Sequence, residues 1–343
     1  MIPKMSIKSR PVQEQAKAFT PVSHYLWPCQ SVILFLTLVG MFLLQGCGSD
    51  AESVVVDFNK TVAVKRPGEN MPAEGLLRVS VAAMVSPKAT FVYYRQLLDY
   101  IGVKLGREVQ LIQRKTYDEV NQLLSTGQID LAFICSGPYA AGREKYGFEA
   151  LAVPQVRGKP MYQSYLIVNK ESQILTIDDL RGRVFAFTDP NSNTGNLVPT
   201  YWLMQMGESP ESYFKSVNYT FAHDNSILAV AKALVDGAAV DGHIWEYYNQ
   251  RNPIYTSQTR IIKKSELFGS PPLVASTTLP MLQKDRIRQL LLSMHAEHEG
   301  MRILDELMIE QFIPPKEEWY DGILRMKQDL RLLERATHAT AKP

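Results

Sequence analysis

The stretch 184–206 reads VFAFTDPNSNTGNLVPTYWLMQM. Val184–Phe187 is a short apolar run with strand character, and Asn196–Met206 reads as a helix. Between them lie Thr188, Asp189, Ser192, Asn193, Thr194 and Gly195, small residues carrying hydroxyls, amides and accessible backbone. Strand, loop and helix in that order form the unit from which parallel sheets flanked by helices are built. The same order sets up oxyanion binding. The first amides of a helix lack partners within it, and the helix dipole favours negative charge there. Ser192 and Thr194 add hydroxyl donors. An ordinary helix cap uses the same residue types, so the loop alone leaves both readings open.

Outward from this stretch the hydrophobic period keeps switching. Upstream, 76–83 (LLRVSVAA) reads as a strand and 91–105 (FVYYRQLLDYIGVKL) as a helix. Next, 109–114 (VQLIQR) alternates as a strand does, 117–125 is helical up to Gly127, and 129–134 (IDLAFI) is a buried strand. The pattern restarts with the strand 165–169, and Thr176 with Asp179 forms a capping-box variant. After the opening stretch come a strand at 217–221, a helix at 226–235 and a strand from Ala238. Strands return at 260–263 and 273–276. A long helix is expected from Lys284 to Glu310, stopped by Pro314 and Pro315, with a last helix at 319–333. The expected fold class is α/β, with two units of mixed, mostly parallel sheet flanked by helices.

The N-terminus carries a different signal. Val32–Leu44 is 13 residues without a charge. A membrane-spanning helix needs about 20, whereas roughly 7–15 after a basic region suit a signal peptide. The run ends in Leu44, Gln45, Gly46 and Cys47, which resembles a bacterial lipobox whose cysteine receives lipid. The expected organisation is a signal peptide over 1–46, a tether over 47–75, a first lobe over 76–165 and a second over 166–259. A return to the first lobe with C-terminal helices fills 260–343. The expected location is the periplasmic or cell-surface side of a membrane, through a lipid on Cys47.

Composition narrows the function. The chain has 343 residues, 45% apolar and 21% charged, which are ordinary globular values. Its net charge is +2, and beyond residue 46 there are 33 basic and 34 acidic residues. That balance gives no support to nucleic-acid binding. Cys29, Cys47 and Cys135 are the three cysteines, and with Cys29 in the leader and Cys47 carrying lipid no disulfide framework can form. No Walker loop, dinucleotide glycine motif or nucleophile elbow is present. His295, Glu297 and His298 have the wrong spacing for a zinc peptidase, and Cys135 reads as core filler. Neither catalysis, a metal nor a cofactor is expected.

Three further loops carry polar residues beyond strand ends, where ligands of open parallel sheets bind. The first holds Ser136, Gly137, Pro138 and Tyr139, with a simple Gly-Pro turn as the alternative. The second holds His223 and Asp224, and the third Asp241 and His243. Taken singly, Asp224 and Asp241 read better as caps of their own turns.

Taken in order, Asp130–Phe133, Gly137 with Pro138, the run Asp189–Pro199, His223–Val230, Val240 with Asp241, and Gly269–Val274 resemble the PhnD-like periplasmic binding proteins. These serve ABC transporters for phosphate, phosphite or phosphonate. The resemblance spans about residues 76–292 and implies a two-lobed type II binding-protein fold joined by two hinge strands, with the ligand between the lobes. It implies that Ser192, Asn193, Thr194 and Gly195 wrap the oxyanion. Ser136 and Tyr139 lie in the matching loop of the first lobe, Tyr165 is an aromatic near the crossing strand, and His223, Asp224 and Asp241 meet a protonated oxygen or an amine. The implied partners are a small oxyanion and an ABC permease, with the protein a monomer. Asn193 stands where such loops carry a hydroxyl residue, and the aromatic run Trp245–Tyr248 is unusual. Two alternatives are a sensor of the same fold for a membrane kinase, and a binder of another anion such as a sulfonate.

Overall fold

A computed structural model describes residues 62–63 and 75–340. The leader, Cys47 and most of the expected tether lie outside the described residues. The chain runs β1 (Val62–Ala63), β2 (Leu77–Val81), α1 (Pro87–Leu105), β3 (Val109–Ile112), α2 (Tyr117–Ser125), β4 (Leu131–Phe133) and α3 (Ser136–Tyr146). It continues through β5 (Glu149–Gln155), β6 (Met161–Tyr162), β7 (Ser164–Asn169), β8 (Val184–Phe187), α4 (Val198–Gln205), α5 (Pro210–Tyr213), β9 (Ser216–Tyr219), α6 (His223–Ala231), β10 (Gly237–Asp241) and α7 (Gly242–Arg251). It closes with β11 (Thr259–Lys264), β12 (Phe268–Gly269), β13 (Leu273–Ala275), α8 (Met281–Ser293), α9 (His298–Glu306), β14 (Gln311–Ile313) and α10 (Asp321–Thr340).

These strands make two large sheets. One has the order β1-β3-β2-β4-β13-β5-β14, the other β11-β7-β10-β8-β9. In the first, β2 runs parallel to β3 and β4, and β13 inserts antiparallel between β4 and β5. In the second, β8 is parallel to β9 and β10, while β7 and β11 run antiparallel. Strands β4, β8 and β10, each paired parallel on at least one side, have almost no polar face because they lie buried inside their mixed sheets. The chain crosses from the first sheet to the second through β6 and back through β12, and these two pair with each other. The result is two lobes joined by two strands.

Local chemistry explains the boundaries. Pro87 opens α1 and Gly106 ends it at φ 66°. Thr116 and Glu119 close a full capping box on α2. The segment 136–138 opens α3, so it is not a turn.

Three expectations need correction. The helix predicted over 284–310 is broken by a 3-10 turn at Met294–Ala296 and an extended Glu297. Gly300 lies so close to Met294 that an added Cβ would be 2.0 Å from its carbonyl oxygen, so the chain doubles back there. Strand β11, expected to begin the return to the first lobe, pairs with β7 in the second. Val62 and Ala63, within the expected tether, pair with Leu111 and Gln110 on the edge of the first sheet.

Candidate functional site

The carboxyl ends of β4, β8 and β10 carry the polar loops. After β8 the chain makes a wide π-helical turn, Asn193–Leu197, that leads into α4. Ser192 caps it: its Oγ accepts the Gly195 N–H at 3.0 Å, and its carbonyl accepts the Leu197 N–H at 2.9 Å. The Thr188 N–H bonds the Gly195 carbonyl at 3.1 Å. A Cβ on Gly195 would lie 2.4 Å from Thr188 Oγ1, so only glycine fits. Ser192 therefore does cap its own turn, and its neighbours present the chemistry. The Thr194 carbonyl accepts the Ser164 hydroxyl at 2.6 Å, and Asn193 Nδ2 donates to Tyr162 Oη at 3.2 Å. Asn193 Oδ1 and Thr194 Oγ1 remain buried without a partner.

His223 opens α6 and is fully buried. Its Nδ1 accepts the backbone N–H of Asp241 at 3.0 Å, with Thr188 Oγ1 at 3.1 Å. An accepting Nδ1 places the ring proton on Nε2, and that atom is buried without a partner. Burial pushes the imidazole pKa down to about 3, so the ring is a neutral donor. Asp241 ends β10 and caps α7, its Oδ1 accepting the His243 N–H at 2.7 Å and the Ile244 N–H at 3.2 Å. Burial raises its carboxyl to about 7 even against those two amides.

The first lobe brings Ser136, whose hydroxyl bonds that of Tyr162. Burial holds the Tyr162 phenol well above its ordinary pKa, which keeps it a hydroxyl rather than a phenolate. Cys135 Sγ lies 4.0 Å from the same oxygen, and burial pushes its thiol up as well. One set thus forms from two runs of contacts, Ser136–Tyr162–Asn193 and Gly195–Thr188–His223–Asp241, linked through the backbone of the π-helical turn. It joins both lobes and the crossing segment.

Three predicted site residues sit elsewhere. Tyr139 packs edge-on against Tyr320 at 4.7 Å between centroids, on the side covered by the C-terminal return. Tyr165 donates to Glu246 at 3.2 Å and accepts from Lys264 at 3.3 Å, in an outer recess also lined by Arg157. Asp224 does not cap its own helix. Its Oδ1 accepts the Ser86 N–H at the start of α1 in the other lobe at 2.9 Å, and Oδ2 accepts the Tyr248 hydroxyl at 3.4 Å.

Two residues escaped sequence reasoning. Tyr162 sits on a two-residue strand in the crossing segment, too short for periodicity to register. Tyr94 lies on α1, 5.3 Å from Phe133 between ring centroids. Burial, then the charge of Asp241, raises its phenol to about 12. The tyrosine pair at 93–94 in an otherwise apolar helix face was its available signal.

The lobes are pressed together around this set. The His223 N–H reaches the Met84 carbonyl at 2.9 Å, and the Tyr117 N–H reaches Asp189 Oδ2 at 3.1 Å. Arg157 pairs with Glu246 at 3.2 Å, and Arg251 with Asp305 at 3.1 Å. A Cβ on Gly137 would lie 2.8 Å from the Asn191 carbonyl, so backbone meets backbone where the lobes touch.

Two mixed-sheet lobes, two crossing strands and a polar set at their junction define a type II periplasmic binding protein. The chain belongs to the family of ABC-transporter phosphonate periplasmic substrate-binding proteins, whose family model matches residues 79–320. It is 30% identical over 211 residues to the phosphonates-binding periplasmic protein of Escherichia coli, a match covering 60% of this chain and 62% of that protein. It is 27% identical over 226 residues to the phosphate-import protein PhnD of Mycolicibacterium smegmatis, covering 62% and 68%. The solved structure of PhnD1 from Prochlorococcus marinus in complex with methylphosphonate aligns with TM-score 0.68 at 21% identity, covering 75% of this chain and 98% of that one.

Proposed function

We propose that the protein captures a small phosphorus oxyanion outside the cytoplasm and delivers it to an ABC permease. The observation that carries this reading is the set of buried polar atoms without partners at the junction of the lobes. His223 Nε2–H and the Thr194 hydroxyl are donors and Asn193 Oδ1 is an acceptor; the Asp241 carboxyl, whose Oδ1 already takes two amides, lies next to them as a further acceptor. Buried polar groups are almost always satisfied, so such a set points to a ligand. Donors suit the unprotonated oxygens of the ligand and acceptors suit a P–OH, which favours a monoanion over a dianion. Ser136, Tyr162, Ser192 and Gly195 shape the walls. No lysine or arginine is needed where neutral side-chain donors meet the oxygens.

Thermal denaturation with phosphate, phosphite, methylphosphonate and sulfate tests this reading. A ligand at about 100 times its dissociation constant stabilises the fold by about 2.7 kcal/mol. A shift with a phosphorus anion supports it, and no shift with any phosphorus anion removes it. The lipid on Cys47, the permease and the monomeric state belong to the same proposal. Loss of membrane association in Cys47→Ala checks the anchor.

A further inference from the structure

Beside the polar set lies a cavity of about 130 Å³. Val81, Met84, Phe133 and Phe312 wall it from one lobe, Ile244 and Tyr247 from the other. Among the described residues that line it, the polar side chains are Asp241, His243 and three tyrosines, with no lysine or arginine. Asp241 ties the cavity to the polar set, because it lines the cavity while its backbone amide holds His223. A group bonded to a phosphorus atom held at His223 and Thr194 therefore has the cavity as its next space.

Size and lining define that group. A dry apolar cavity of about 150 Å³ takes up benzene, so this one accommodates roughly three to five carbons. An ammonium would be poorly served there. Asp241 already spends Oδ1 on two amides, and Asp224 is committed to Ser86 and Tyr248. The remaining walls are mostly carbon, where an unpaired cation is costly.

We infer that this cavity holds an uncharged alkyl substituent, so that the protein selects alkylphosphonates over phosphate, phosphite and amino-substituted phosphonates. The inference rests on the phosphorus-oxyanion reading above and deepens it. Isothermal titration of the full chain with phosphate, phosphite, methyl-, propyl-, butyl- and 2-aminoethylphosphonate tests both. Affinity is expected to rise about three- to fourfold per methylene from methyl to butyl. No dependence on chain length, or tightest binding of 2-aminoethylphosphonate, overturns the inference and leaves the phosphorus reading standing. Failure of every phosphorus anion defeats the phosphorus reading itself. Ile244→Phe fills the cavity, and the butyl-to-methyl affinity ratio within that variant should fall about tenfold or more. A ratio equal to that of the natural protein places the substituent elsewhere and overturns the inference.

Discussion

Thr194 answers two demands of opposite sign. Its hydroxyl is buried without a partner, which costs the empty fold about 1–3 kcal/mol. Thr194→Val keeps the shape and removes that cost. Its melting temperature without ligand should therefore match or exceed that of the natural protein, while oxyanion affinity falls about tenfold or more. A variant that loses stability and affinity together would mean the hydroxyl serves the fold. Asp241 makes a second prediction. Its carboxyl, at about 7, and a phosphorus acid near its second ionisation both lose protons as pH rises through neutrality. Affinity should then fall with rising pH, and less steeply in Asp241→Asn, as titration calorimetry at pH 6 and 8 would show. The hydroxyl run, His223 and Asp241 were legible in the sequence through their place beyond strand ends together with the family resemblance, since the same residue types serve as helix caps. Tyr94 and Tyr162 were not, since a tyrosine on an apolar helix or in a short crossing strand looks the same whether its hydroxyl meets ligand or core.

The π-helical turn makes Gly195 irreplaceable in this packing. Gly195→Ala drives a Cβ into Thr188 and should lower stability by about 1–3 kcal/mol while disturbing the donors on either side. Chemical denaturation and binding measured together check it. Asp224 acts between elements, terminating α1 of the opposite lobe from α6. Asp224→Ala should therefore speed ligand release more than it slows capture, measured by stopped-flow fluorescence. Equal effects on both rates would place Asp224 in the site itself. The alternation of strands and helices was readable from the switch between periods of two and 3.6. The break at Met294–Ala296 was hidden, because Ile287, Leu291, Met294, Ile303 and Leu304 are buried on both sides of it. Apolar spacing persists through a change of direction that a close glycine contact imposes. The insertion of β13 between β4 and β5 was equally silent, since pairing partners depend on topology rather than local pattern.

The protonation balance of the whole protein follows from its buried groups. Asp241 titrates at about 7 when folded and near 3.9 when unfolded, so its contribution is full below about pH 4 and lost as pH rises through 7. The stability of Asp241→Asn relative to the natural protein should thus grow between pH 4 and 7, by up to about 1.4 kcal/mol per pH unit, and then level off. His223 works the other way. Its folded value of about 3 lies below the unfolded 6.5, so its contribution is present above pH 6.5 and lost as pH falls towards 3. Denaturation midpoints at pH 5 and 8 separate the two. The two-lobed plan was legible from the restarted β-α pattern. How the lobes meet was not, because contacts between them join residues far apart in the chain, such as Ser86 and Asp224, 138 positions apart.

The unpartnered atoms at the junction also bear on traffic through a transporter. With the lobes together and nothing between them, Asn193, Thr194 and His223 each leave a polar atom stranded, and even one such atom tilts the balance about tenfold or more towards separation of the lobes. A vacant carrier would therefore seldom adopt the shape that signals a full load. A permease that recognises the shut form would spend few ATP molecules on empty deliveries.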